Sequence, residues 1–158
     1  MTVKVIGVGN SFRRDDGVGR AVARILREAA SENLDIVESS AEPSELMANW
    51  RSADTVILVD AAAAASAPGK ISRFTIGETN LAADAGGAST HGFGVAAAIG
   101  LAEALGERPV MMTVFTIEGA DFGYGEGLSK NVAAALPQLV DRVIAEANRL
   151  SIKDTTNA

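Results

Sequence analysis

Val5-Ile6-Gly7-Val8-Gly9-Asn10-Ser11-Phe12-Arg13-Arg14-Asp15-Asp16-Gly17-Val18-Gly19 is the stretch on which the fold turns. An apolar run from Val3 to Val8 passes into glycines, and a polar loop closes on two adjacent carboxylates. Val18, Ala21, Val22, Ile25, Leu26 and Ala29 then recur at helical spacing. Strand, loop and helix in that order form the first unit of an alternating α/β chain. A glycine loop at such a junction invites a nucleotide-binding reading. However, Phe12 stands where the third glycine of G-x-G-x-x-G belongs, and the P-loop lysine is missing. Asp15 and Asp16 would also repel a phosphate from the helix N-terminus. A tight strand-to-loop turn accounts for the glycines equally well.

The alternation continues downstream. Leu34 to Glu38 reads as a second strand and Pro43 to Trp50 as a short helix. Thr55 to Val59 is a β-branched, uncharged core strand that ends at Asp60. The alanine run Ala61 to Ala65 is expected as a closely packed loop or first helical turn. A turn at Pro68-Gly69 leads into a strand from Lys70 to Ile76, and Asn80 to Ser89 is small, Gly-rich and expected as loop. Gly92 to Leu105 carries a helix with Val95, Ile99, Leu101, Ala102 and Leu105 as its stripe, stopped by Gly106. Val110 to Ile117 is the last strand. Ser129 caps a final helix in which Pro137 is expected to produce a kink or a split. The whole predicts a single α/β domain over 1–150 around a mainly parallel sheet, with a polar, frayed tail over 151–158.

Composition narrows the classes of function. The chain has 158 residues, 47% of them hydrophobic, with a formal net charge of -6. That charge offers no basic face for nucleic acid or an anionic membrane. No apolar run is long enough to span a bilayer. The N-terminus enters a strand directly, without the pattern of a secretory signal. There is no cysteine, which removes disulfides, thiolate metal sites and thiol nucleophiles and fits a cytoplasmic location.

Chemistry in open α/β sheets gathers beyond the carboxyl ends of the strands. Three features are expected there: Asp15 and Asp16 after the first strand, Asp60 after the third, and His91, the one histidine, before a helix. Each has a structural alternative. Either aspartate of the pair could cap the helix it precedes, Asp60 could cap the following segment, and His91 could be a cap or surface group. Taken together, two carboxylates and an imidazole can hold a divalent transition metal and leave positions open for other ligands. No H-E-x-x-H and no G-x-S-x-G is present.

These motifs, in this order, resemble those of the nickel–iron hydrogenase maturation endopeptidases. The likeness covers nearly the whole chain: Gly7-Val8-Gly9-Asn10 with Asp15-Asp16-Gly17-Val18-Gly19, Val56 to Asp60 with Pro68-Gly69-Lys70-Ile71, Ser89-Thr90-His91-Gly92, Leu105-Gly106 with Pro109, and Phe115-Thr116-Ile117-Glu118-Gly119 with Leu128-Ser129. The chain departs from the family pattern at Thr116 and Gly119, between Ser40 and Ser44, and after His91. The resemblance implies a three-layer α/β/α sandwich on a five-stranded, mostly parallel sheet with one antiparallel strand. It also implies an endopeptidase that removes the C-terminal extension of a hydrogenase large-subunit precursor after nickel insertion. Asp16, Asp60 and His91 would be the catalytic residues and metal contacts, with the nickel carried by the substrate. A nickel-binding maturation factor that docks without cutting, or a small-ligand-binding α/β module, would be the alternatives.

Overall fold

Apolar and β-branched residues fill the strand that opens the chain, β1 (Val3–Val8). In the computed structural model, which describes residues 2–29, 33–63, 67–76 and 92–156, β1 pairs in parallel on both sides. Its neighbours are β2 (Leu34–Ser39) and β3 (Thr55–Ala62). β5 (Met111–Glu118) adds in parallel to β3, and β4 (Ile71–Ile76) closes the sheet antiparallel to β5. The order is β2-β1-β3-β5-β4, the mostly parallel sheet with one antiparallel strand that the family resemblance implied.

Alternation along the strands divides the core in two. Val3, Val5, Ile57, Val59, Phe115 and Ile117 face one layer, made by α1 (Val18–Glu28) and the last helix, α4 (Lys130–Thr156). Ile6, Val8, Val56, Leu58, Met112 and Val114 face the other, made by α2 (Pro43–Trp50) and α3 (Gly92–Leu105). The two central strands, β1 and β3, are buried on both faces, so they read as unbroken apolar runs.

Several boundaries differ from expectation. β3 does not stop before Asp60: β5 extends the ladder through Asp60↔Thr116, Ala61↔Ile117 and Ala62↔Glu118. Ala61 and Ala62 are therefore buried strand rather than loop or helix. Ile25, Leu101 and Leu105 of the expected helical stripes are exposed, while Ala23 and Ala98 point inward. Pro137 does not split the last helix. It lies exposed, with Val132 buried before it and Leu139, Val140 and Val143 buried after it. The same helix runs on to Thr156, so the polar tail is helical for most of its length. The expected loop at Asn80 to Ser89 lies outside the described residues.

Candidate active site

β1 connects through α1 to β2 on one side, and the chain then returns through α2 to β3 on the other. This reversal makes the carboxyl ends of β1 and β3 the switch point of the sheet, the usual ligand position in an open α/β sheet. Both predicted carboxylates border it. Asp16 sits in a short 3-10 turn, Arg14–Gly17, between β1 and α1, and this turn packs against β3. Asp60 lies one residue past the last β1–β3 pair, Gly7↔Val59. Asp16 and Asp60 are each 1% exposed.

Close backbone packing sets the turn there. Gly7 of β1 and Gly19 of α1 lie against each other. A Cβ on Gly19 would fall 2.3 Å from the Val59 carbonyl oxygen and 2.5 Å from that of Val8. Gly19 thus lets α1 rest directly on β1 and β3. Gly9, at φ +140, puts its own Cα beside the Asp16 carbonyl. The Asn10 N–H then donates to Asp16 Oδ2 at 2.9 Å, and Arg20 donates from α1 to the Gly9 carbonyl. The glycines therefore hold an acidic turn in place, and this close packing accounts for their spacing.

The two aspartates of the pair have different work. Neither caps α1, whose N-cap position is Gly17 with no side-chain cap bond. Asp15, fully buried, reaches across the molecule instead. Its Oδ2 accepts from the amides of Ala120 (2.8 Å) and Asp121 (2.9 Å) and from the Ser129 hydroxyl (2.7 Å). Its Oδ1 accepts from the Ser129 amide at 2.7 Å. Burial pushes the Asp15 pKa up, but these donors outweigh it and hold the carboxyl below its ordinary value. Asp15 is an anchor for the segment between β5 and α4. Nothing in its local sequence signals this, because all its partners lie more than a hundred residues away.

Asp60 Oδ1 accepts from the Ala61 amide at 2.8 Å. By strand alternation its side chain shares the face of Val56 and Leu58, the layer of α2 and α3. The short connection 106–110 returns α3 to the start of β5, so α3 begins at the carboxyl edge of the sheet, the edge of Asp60. His91, the third predicted residue, immediately precedes α3 in sequence and lies outside the described residues. Among the described residues, no three histidine, cysteine, aspartate or glutamate side chains gather into a metal site, and no helix is long and apolar enough to cross a membrane.

Sequence reasoning passed over residues 120–127, the middle of the loop from Gly119 to Ser129. The loop forms a bridge to the acidic turn, with Arg13 opposite Gly125. It also carries Tyr124, 91% exposed. A lone tyrosine among glycines was the available signal.

The family model described as hydrogenase maturation protease matches residues 20–146. Among solved structures, the hydrogenase maturating endopeptidase HybD from E. coli is similar with a TM-score of 0.81 and 23% identity, over 94% of this chain and 93% of that one. An Escherichia coli endopeptidase solved in solution matches with a TM-score of 0.82 and 24% identity, over 96% and 94%. The [NiFe] hydrogenase maturation protease HybD from Thermococcus kodakarensis matches at 0.72 and 24%, over 93% and 99%. No curated protein matches significantly.

Proposed function

The chain belongs to the hydrogenase maturation protease family, and from that membership we propose that it removes the C-terminal extension of a nickel–iron hydrogenase large-subunit precursor after nickel insertion. Its role as an endopeptidase of hydrogenase maturation follows from the family. Timing, nickel recognition and the residues involved are our reading.

In that reading the nickel arrives on the precursor and is contacted by Asp16, Asp60 and His91. Two carboxylates and one imidazole suit a borderline divalent ion and leave coordination positions for the precursor's own ligands. The carboxylates must be ionised and His91 neutral to bind. Contact with the metal registers the scissile peptide at this sheet edge, and water adds across its C–N bond. A precursor without nickel lacks that contact and is left uncut. The absence of cysteine fits a cytoplasmic site of action.

One observation carries the proposal: two buried carboxylates stand at the switch point between β1 and β3, Asp16 in the turn after β1 and Asp60 one residue past the last β1–β3 pair, while their neighbour Asp15 is fully engaged in the fold. The start of α3 at the same edge supports adding His91. To test this, purified protein is incubated with nickel-loaded and nickel-free precursor, and the large subunit is weighed by mass spectrometry. We expect shortening of the nickel-loaded form alone, abolished by Asp16→Asn, Asp60→Asn and His91→Ala. Normal trimming by all three variants would remove the site assignment. Stable binding of loaded precursor without any shortening would favour the non-cleaving maturation factor.

A further inference from the structure

The loop 119–129 and the acidic turn are built as one rigid unit. The Gly125 amide donates to the Phe12 carbonyl at 2.8 Å, and the Arg14 amide donates to the Gly125 carbonyl at 2.9 Å. Beneath them the Asp15 carboxylate holds Ala120, Asp121 and Ser129. Arg14 meets Asp121 at 3.4 Å, and Arg13 donates to the Phe122 carbonyl at 3.2 Å.

This rigid unit presents two aromatic side chains to solvent. Phe12 is 65% exposed and Tyr124, the one tyrosine of the chain, is 91% exposed. Aromatic side chains supply much of the contact energy at protein interfaces. Fixing their backbone beforehand reduces the ordering cost of association. Arg13 adds a cation that, among the described residues, meets a backbone carbonyl and no carboxylate. The unit is continuous with the candidate site: Phe12 and Asp16 lie on the same loop, tied through the Asn10 amide to the Asp16 carboxylate.

We propose that Phe12, Arg13 and Tyr124 form the docking ridge for the substrate polypeptide. The occupant is a segment of the precursor that carries apolar side chains for the two rings and an acidic side chain for Arg13. This rests on the proposed function for the identity of the polypeptide. The ridge binds the precursor through its chain, and the buried carboxylates contact its metal, so the two can be separated experimentally.

The test measures both affinity for nickel-loaded precursor and its trimming, using the full chain and the double variant Phe12→Ala/Tyr124→Ala. Both side chains are exposed, so the variant is expected to melt with the wild type. Precursor affinity should fall about tenfold or more, as for truncated interface anchors, with KM rising and kcat little changed. Arg13→Gln should weaken binding and reduce its dependence on salt. Val110→Ala, an exposed apolar position on another part of the surface, should bind and cut normally. Unchanged precursor affinity in the double variant overturns the ridge, whatever happens to cleavage. Wild-type binding that depends on the ridge but yields no shorter subunit supports the ridge and sinks the peptidase reading.

Discussion

Asp15 and Ser129 meet twice: the Asp15 carboxylate accepts from both the amide and the hydroxyl of a residue 114 positions further along, each at 2.7 Å. With the amides of Ala120 and Asp121 added, one buried carboxylate joins the turn after β1 to the entry of α4. The adjacent Asp16 is thereby fixed from behind. Stability and chemistry are thus expected to divide between two neighbouring aspartates.

Asp15→Asn should chiefly damage the fold. Asparagine offers one acceptor oxygen where four donors converge, and its NH2 group would face other donors. Hydrogen bonds to a charged group contribute about 1.5–3 kcal/mol each, without simple additivity, so a loss of roughly 2–4 kcal/mol is expected. Urea unfolding reads it directly. Hydrogen exchange should quicken first at Ala120, Asp121 and Ser129. A stability within the error of wild type would show that the anchor is dispensable.

Asp16→Asn should do the opposite. Its oxygen can still accept from the Asn10 amide, so the melting temperature should stay close to wild type. Trimming of nickel-loaded precursor should fall by roughly a hundredfold or more, the scale set by loss of one preorganised electrostatic contact. Single-turnover cleavage assays would measure it. A variant that loses stability but cuts at the wild-type rate would make Asp16 a structural residue.

Two glycines offer a matched pair. Gly19→Ala places a methyl group 2.3 Å from the Val59 carbonyl oxygen, where backbone must shift to admit it. A cost of about 1–3 kcal/mol or more is expected. Gly100→Ala, within α3, meets nothing within 4 Å. It should stabilise by roughly 0.5–1 kcal/mol through the better helix propensity of alanine. Calorimetric melting of the two variants should show opposite signs.

These contrasts also mark what the sequence could say. Strand and helix positions were legible because burial on both faces leaves β1 and β3 as plain apolar runs. The antiparallel edge strand and the positions of Asp16 and Asp60 at one sheet edge were legible only through resemblance and the α/β topology rule. The division of labour between Asp15 and Asp16 was not. Both are aspartates before a helix, and what separates them is a contact with Ala120, Asp121 and Ser129 that no local pattern encodes. The extension of β3 past Asp60 was hidden for a similar reason: alanines carry little strand preference of their own, and the pairing with Ile117 and Glu118 decides their conformation. Tyr124 was illegible as a surface feature because exposure is a property of the folded loop.

The far end of the sheet supplies a prediction about pH. Glu146 of α4 is 6% exposed. It accepts from Arg73 Nε at 2.8 Å and Nη2 at 2.9 Å, a two-pronged bond from β4, and also from Arg149 and from the Thr113 hydroxyl. Burial pushes its pKa up, but Arg73 and Arg149 outweigh it, so the folded value lies below the ordinary 4.5. The unfolded chain therefore takes up this proton first as the solution is acidified. The contribution of Glu146 is complete above about pH 4.5 and is lost as pH falls through the folded pKa. Arg73 and Arg149 are 40% and 48% exposed, so screening keeps the contribution modest. Glu146→Gln should cost about 1–2 kcal/mol at neutral pH. Parallel denaturant titrations at descending pH should show the gap between wild type and variant narrowing below 4.5. A gap that stays constant to the acid limit would mean that the loss does not come from the charge of Glu146.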